Sequence, residues 1–173
     1  MEKAEKALER AYKACSSKDS SMFEDTIILF ANYSRAAADA SIVALMIWLL
    51  DYVESTLDSL GFSRIFHACP EIEKLNILLA DTSFKELHKI AILFGLSEAE
   101  KRIKELEDKY GKLKENLCWR LRNALSHGWP YWISIESCSI SIPGGSVTLD
   151  HMKEFLKLLK EYLGKVAALI GKS

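Results

Sequence analysis

The chain has 173 residues, of which 49% are hydrophobic and 27% are charged. A chain of this size and composition folds as an ordinary globular protein with one sizeable core, which excludes an intrinsically disordered chain. The formal net charge of −1 excludes a protein that coats nucleic acid through a large overall positive charge, but it leaves room for a small local basic site.

The first part of the chain predicts two helices. In MEKAEKALERAYKAC, apolar residues recur at three- and four-residue steps, which is the pattern of an amphipathic helix. SSKDSS interrupts this pattern, and Ser21 with Glu24 predicts a capping box that opens a second helix, which runs to about Leu60. The apolar run Ile42–Leu50 is far shorter than the ~20 residues of a membrane span. We therefore interpret it as part of a deeply buried helix and expect no membrane partner.

The middle of the chain predicts three more helices. Pro70 suits the first turn of one helix, and two further capping boxes open the other two, Ser83 with Glu86 and Ser97 with Glu100. The last of these helices carries an apolar stripe from Ala99 to Leu117, at alternating four- and three-residue steps. Such a stripe packs against neighbouring helices in a bundle or a dimer. We expect the stripe, continued to Ala124, to be either a dimer surface or part of the domain's own core.

After HGWP the period of the sequence changes. YWISIESCSISIPGGSVTL alternates isoleucine with serine, and its Pro-Gly-Gly predicts a turn, so we expect a small β hairpin or two short strands. A last amphipathic helix places its apolar residues from Met152 to Ile170 on one face. Since no repeat and no linker interrupts the chain, we predict a single domain over residues 1–173. Its fold class is all-α, with five to six helices and a small β hairpin insert before the last helix.

The four cysteines are scattered: Cys15, Cys69, Cys118 and Cys138. They form no CxxC pair and no Cys/His cluster with zinc spacing. We interpret them as free, mostly buried thiols in a reducing cytosol, and we expect a cytoplasmic protein. Because the sequence contains no glycine-rich phosphate loop and no metal-ligand pair, we expect neither a cofactor nor a metal.

The stretch WRLRNALSHGWP brings an arginine and a histidine to the end of a helix. The guanidinium of Arg122 can donate two parallel hydrogen bonds to a phosphate. His127 is the residue type that takes or gives a proton nearest to neutral pH. The two lie about 140° apart around a regular helix, but Gly128 predicts a helix end that lets the ring turn toward the side of Arg122. Such residues also complement the helix dipole, and this purely structural interpretation stays open.

Arg122–Gly128, RNALSHG, resembles the R-x4-6-H signature of the HEPN superfamily, in the form in which Asn follows the Arg and Gly follows the His. The signature also closes a helix late in a helical domain, with one more helix after it. The resemblance implies a metal-independent endoribonuclease that cleaves single-stranded RNA by 2′-OH transesterification, as in toxin–antitoxin and defence systems. It also implies a homodimer with a composite active site, and an antitoxin or a nucleotidyltransferase as a further partner.

The resemblance assigns a role to three residues. Arg122 would bind the scissile phosphate, His127 would act as acid–base or transition-state donor, and Asn123 would position the substrate or orient His127. We add Arg120 and Trp129 as candidate substrate-binding residues, because a cation can contact phosphate and an aromatic ring can stack on a base. A solvated charged face and ordinary packing are the alternatives for these two.

Two features of the HEPN pattern have no clear counterpart here. Trp129 stands where one toxin subgroup has the tyrosine that its antitoxin modifies, so we do not expect control of that kind. The acidic residue that some members place on an earlier helix is not assigned among Asp39, Asp51 and Glu54. Two alternative functions stay open: a catalytically inactive HEPN domain that binds a nucleotide, RNA or a partner protein, and a purely structural helical partner.

Overall fold

The computed structural model describes residues 1–59 and 83–171. Within these ranges six helices and three strands follow in the order α1 (Glu2–Ser17), α2 (Ser20–Ser59), α3 (Phe84–Leu93), α4 (Ser97–Glu115), α5 (Leu117–Ser126), β1 (Trp132–Ser134), β2 (Ser139–Ile142), β3 (Gly145–Thr148) and α6 (Leu149–Ile170). A mostly helical fold with a small sheet before the last helix is therefore confirmed. The helix predicted at Pro70 lies outside the described residues.

The chain forms two compact units, whose residues are Met1–Ala38 with Lys109–Tyr162 for the first, and Asp39–Asp108 with Leu163–Ser173 for the second. Aromatic rings build much of the core of the first unit. Phe30 meets Phe155 edge-on, with ring centroids 6.4 Å apart. Tyr110 contacts Trp119 at 5.5 Å and Tyr162 at 5.7 Å between centroids. All the sequence-predicted site residues belong to this first unit.

The predicted helix starts are correct at one of the three described capping boxes. Ser83 caps α3 by accepting a hydrogen bond from the Glu86 amide. At α2 the box on Ser21 is wrong, because the Asp19 carboxylate accepts from the Met22 amide at 2.9 Å and the helix already begins at Ser20. Asp19 directly follows the left-handed residue that ends α1, so it reaches the free amides first. At α4 the box on Ser97 is also wrong, since Ser97 is itself the first helical residue.

The helix predicted to carry the apolar stripe, from Ala99 on to Ala124, is two helices. Asn116 leaves the helical conformation with φ −70° and ψ 144°, and its side chain accepts from the Cys118 amide, so it caps a new helix, α5. The apolar stripe of α4 is buried within the chain, where Ile103 and Leu113 are 0% exposed. The stripe is therefore part of the protein's own core, and its interpretation as a dimer surface is wrong.

The β insert has three strands rather than the two expected. They form an antiparallel sheet in the order β1-β2-β3, with Ile133 opposite Ile140 and Ile140 opposite Val147. The predicted turn lies between β2 and β3, at Pro143 and Gly144. Ile140 and Val147 are fully buried, because the alternation of isoleucine with serine sends one side of the sheet into the core.

The cysteines overturn a prediction. Cys15 at the end of α1 and Cys138 in the turn between β1 and β2 form a disulfide, with their Cα atoms 5.6 Å apart. The interpretation of these two as free thiols is wrong, because the sheet returns the β1–β2 turn to the end of α1. Cys118 is free and buried as predicted, and burial raises the pKa of its thiol. Cys69 lies outside the described residues.

The apolar stretch of α2 is buried on one side only. Leu45 and Leu49 are fully buried, whereas Ile47 is 43% exposed and Tyr52 is 44% exposed. By length and composition alone, Ser20–Val53 could cross a membrane, but the core helix of a soluble protein has the same properties. The expected absence of a membrane partner therefore stays a prediction.

Candidate functional site

The candidate site lies at the C-terminal end of α5, and hydrogen bonds of the backbone fix its shape. The Trp129 amide donates to the Ala124 carbonyl at 2.9 Å, and the Gly128 amide donates to the Leu125 carbonyl at 3.4 Å. Gly128 has φ +63°, a left-handed conformation that glycine adopts without steric cost. Together these contacts form a Schellman motif, in which Gly128 terminates the helix just after its last residue, Ser126, as predicted.

The three motif residues differ in exposure. His127 is exposed, whereas Arg122 and Asn123 are half-buried. Among the residues that the structure describes, no hydrogen bond or ion pair engages the guanidinium of Arg122. A half-buried cation without an internal counter-charge attracts an anion from solution. Arg122 is therefore available to a phosphate.

Helix geometry brings two of the three residues onto one face. The His127 amide still donates to the Asn123 carbonyl at 3.0 Å, so the helical path continues to His127. Residues four apart lie about 40° from each other around the axis, and residues five apart lie about 140° apart. Asn123 and His127 therefore share a face, and Arg122 emerges from a different side of α5.

The imidazole of His127 rests against a neighbouring aromatic ring. It stacks on the indole of Trp129, with centroids 5.7 Å apart and an angle of 29° between the planes. Trp129 is itself 45% exposed, so the pair forms a flat surface patch rather than a buried contact. This stacking limits the orientations of the ring and leaves its edge open to a substrate.

The segment after the helix is attached to α2. The phenol of Tyr131 donates a short hydrogen bond to the carboxylate of Glu24. This bond raises the pKa of Tyr131, because the neutral phenol is the form that donates. Tyr131 and Trp129 flank Pro130, so the anchor holds the stacking partner of His127 in place.

Arg120 contacts the sheet rather than the motif. Its Nη2 atom donates to the Pro143 carbonyl at 3.4 Å. The guanidinium lies so close to Gly144 that a Cβ at that position would collide with it, and φ +95° there also favours glycine. Arg120 thus holds the β2–β3 turn against α5, although it is exposed and its remaining donors can still reach a ligand.

Sequence reasoning missed Arg35. Its guanidinium carbon lies 3.9 Å from the ring centroid of Trp119, a cation–π contact between α2 and α5. Trp119 is buried and lies on the same side of α5 as Arg122, about 60° away around the axis. Arg35 therefore supports the part of α5 from which Arg122 projects. No sequence pattern predicts this contact, because it joins two helices that are far apart along the chain.

Other charged and aromatic residues on α4, α5 and β1 divide into packed and exposed residues. Lys109 pairs with Glu161 at 3.2 Å, and Lys114 lies over the ring of Tyr110. Both lysines therefore already have partners within the first unit. Trp119 packs in the core, whereas Trp132 is 65% exposed and remains open to a ligand.

The remaining candidates do not add to the site. His151 caps α6, because its amide donates to the Thr148 hydroxyl and its Nδ1 accepts from the Thr148 amide. Asp39 and Asp51 are exposed in the second unit, and the side chain of Glu54 is outside the described part, so the acidic residue stays unassigned. In the described ranges no group of three or more His, Cys, Asp or Glu residues could hold a metal ion.

No motif residue lines any of three pockets on the described residues, of which one lies between α1 and α2 and two lie in the second unit. Compared with protein-family models, with curated proteins and with solved structures, the chain finds no match. The HEPN assignment therefore stays a prediction that depends on Arg122–Gly128 and the helical context.

Proposed function

We propose that the chain is a metal-independent endoribonuclease of the HEPN type, which cleaves single-stranded RNA at the end of α5. The observation that carries the proposal is the presence, at one helix end, of an exposed imidazole, His127, and a half-buried guanidinium, Arg122, that no described residue engages by a hydrogen bond or an ion pair. A purely structural helix cap would not need that cation to be unpaired. A toxin or defence role, with an antitoxin or nucleotidyltransferase partner, extends the proposal.

The chemistry assigns a task to each residue. The 2′-oxygen attacks the neighbouring phosphorus and the bond from phosphorus to the 5′-oxygen breaks, which leaves a 2′,3′-cyclic phosphate and a 5′-hydroxyl. A neutral imidazole accepts the proton from the 2′-hydroxyl, and a protonated imidazole donates one to the 5′-oxygen. Arg122 stabilises the extra negative charge on the phosphate oxygens in the transition state. Asn123, on the face of His127, positions the ribose or the ring.

The proposal includes a homodimer, and geometry gives the reason. In one chain Arg122 and His127 emerge about 140° apart around α5. Within one site a single imidazole can serve both steps, because the neutral ring that accepts the proton from the 2′-hydroxyl becomes the protonated ring that donates to the 5′-oxygen. A two-fold axis beside the end of α5 places the histidine of one subunit next to the arginine of the other.

The test is cleavage of a labelled single-stranded RNA by the purified protein in EDTA. We expect the His127→Ala substitution to lower the rate by roughly 10²–10⁴ and Arg122→Ala by roughly 10²–10³. The matched controls are His88→Ala and Arg102→Ala, because these side chains form ion pairs with Glu107 and Glu98 in the second unit. Equal rates in the motif variants and the controls would remove the motif from the mechanism.

A mixing experiment tests the composite site. Arg122→Ala and His127→Ala proteins are each expected to be inactive, but a mixed dimer contains one site with both functional groups. Random exchange of subunits should restore about a quarter of the wild-type rate, since half the dimers are mixed and each has one intact site. No recovery, with exchange shown by mass spectrometry of the mixed dimer, would exclude a site shared between subunits.

A catalytically inactive domain that binds phosphate is the second candidate. The separation of Arg122 and His127 around α5 favours it, since one chain alone does not aim both at one phosphate. The two functions differ in one measurement. If the protein binds RNA through Arg122 but neither the wild type nor any mixture cleaves it, the binding function replaces the nuclease.

A further inference from the structure

A groove between α1 and α2 has a charge pattern that the proposed nuclease site does not use. Its volume is about 160 Å³, and it is lined by Lys3, Lys6, Ala7, Arg10, Leu29 and Tyr33. This set, named here the α1–α2 groove, contains three cations and no carboxylate. All of it belongs to the first unit.

The cations follow one side of α1 because they recur at steps of three and four residues. Lys6 is paired with Glu2 at 2.5 Å on the exposed side of the helix. Within the described residues no carboxylate pairs with Lys3 or Arg10. The sequence gives the reason, since no acidic residue lies three or four positions from either of them. Two cations of the groove are thus open to an external anion.

The opposite wall of the groove is aromatic and apolar. Tyr33 is half-buried, and Nζ of Lys3 lies 5.6 Å from the centroid of its ring. Leu29, one turn earlier on α2, is 37% exposed although it is apolar. A ring beside a leucine offers a flat surface for a nucleobase, and the cations across from it suit the attached phosphate.

The distance between the cations of the groove also fits a single strand of nucleic acid better than a lone anion. Lys3 and Arg10 are seven residues apart, which is about 10 Å along α1. This exceeds the axial spacing between neighbouring phosphates on one strand of nucleic acid. The groove can therefore contact more than one phosphate of the same nucleic-acid strand.

The groove lies on the other side of α2 from the candidate nuclease site. Arg35 marks the side of α2 that meets α5, because it lies over Trp119. Around the axis of α2, Tyr33 is about 160° and Leu29 about 120° away from Arg35. A ligand in the groove therefore does not touch Arg122 or His127, and substitutions can test the two sites separately.

We propose that the α1–α2 groove is a second binding site, for single-stranded nucleic acid, in which Lys3 and Arg10 hold phosphates and Tyr33 stacks on a base. The site binds without cleaving, and it does not depend on the proposed nuclease activity. RNA and DNA share the phosphate and the base, so the chemistry of the groove accepts either.

The test measures fluorescence anisotropy of a labelled single-stranded RNA and of the DNA of the same sequence, at several salt concentrations. The full chain carries Arg122→Ala and His127→Ala throughout, so that cleavage and binding at the α5 site do not contribute. Log affinity falls as log salt concentration rises. We expect the Lys3→Ala, Arg10→Ala double substitution to make this fall less steep by about 1.4, or about 0.7 for each lost phosphate contact. The control, Lys101→Ala with Lys104→Ala, removes the same charge from an exposed part of α4.

A second pair of variants tests the stacking. Tyr33→Leu keeps an apolar side chain but removes the ring, and we expect it to weaken binding about tenfold. Tyr33→Phe keeps the ring and should bind as the parent protein does. The proposal is overturned if the Lys3 and Arg10 variant has the salt slope of the control, or if Tyr33→Leu binds as tightly as Tyr33→Phe. If RNA and DNA bind with equal affinity, the site recognises only the phosphate and the base. If these variants weaken the binding of RNA but not of DNA, the groove is a site for RNA.

Discussion

Removal of the Cys15–Cys138 disulfide should cause a large loss of stability. The bond joins the end of α1 to the turn between β1 and β2, and the two cysteines are 123 positions apart in the sequence. A cross-link stabilises the folded state mainly by lowering the conformational entropy of the unfolded chain, and this effect grows with the size of the closed loop. The prediction therefore follows from the position of the bond in the chain.

The size of the effect can be worked out from that loop. For about 120 residues, the loop-entropy relation gives a contribution of about 5 kcal/mol at 25 °C. Measured values for single disulfides are commonly smaller, so we expect a loss of about 3–5 kcal/mol. Domains of this size unfold with about 5–15 kcal/mol. The bond thus accounts for a large fraction of the total stability.

The assay is urea unfolding of the wild type, Cys15→Ser, Cys138→Ser and the double variant, each with and without a thiol reductant. Either single substitution already removes the whole bond, so all three variants should lose the same free energy of unfolding. The reductant should bring the wild type to the same value and leave the variants unchanged. Under denaturing conditions it should also expose two more thiols to alkylation in the wild type than in the double variant.

Two results would contradict this reasoning. If the losses in the single variants add up in the double variant, the two cysteines act independently and are not bonded. If the reductant changes neither stability nor the number of reactive thiols in the wild type, the bond is absent. A confirmed bond would also weaken the expectation of a cytoplasmic protein, since that expectation rested on free thiols and stable disulfides are typical of oxidising compartments.

Three further substitutions test single features of the fold by urea unfolding. Gly128→Ala should destabilise the protein by about 1–2 kcal/mol, because φ is +63° at this position. Gly111→Ala, at an open position inside α4, should instead stabilise it by about 0.5–1 kcal/mol. Equal effects of the two substitutions would contradict the left-handed conformation of Gly128. Ser34→Ala should stabilise it by about 1 kcal/mol, because the buried Ser34 hydroxyl has no hydrogen-bond partner within the described residues, and a loss of stability would reveal one. Tyr131→Phe should remove a pH dependence: the folded pKa of Tyr131 is raised above 10.0 by its bond to Glu24, so the contribution of this bond is present below pH 10.0 and lost as the pH rises through the folded pKa. If the stability of the wild type and of the Tyr131→Phe variant declines equally above pH 10.0, the bond to Glu24 contributes nothing to stability.

The features that were predicted correctly are those that depend on residues close together in the sequence. The alternation of isoleucine with serine predicted the sheet. Ser83 marked the start of α3, and Gly128 marked the end of α5. Each of these features depends on side chains and amides within about five residues of each other, which the sequence displays directly. The prediction failed at Ser21 because two cap residues lay close together and only the backbone at the end of α1 selects Asp19.

Local residue patterns were enough to predict the helical class, the sheet before the last helix, and the presence of an arginine and a histidine at a helix end. The packing of the helices was needed to show which cysteines form the disulfide, that the apolar stripe of α4 is buried in the core, and that Arg35 of α2 supports α5. It also decided that Asn123 and His127 share a face and that no described residue neutralises Arg122. The physical reason is that such contacts join residues that are far apart along the chain, and the packing of whole helices sets them rather than any local pattern.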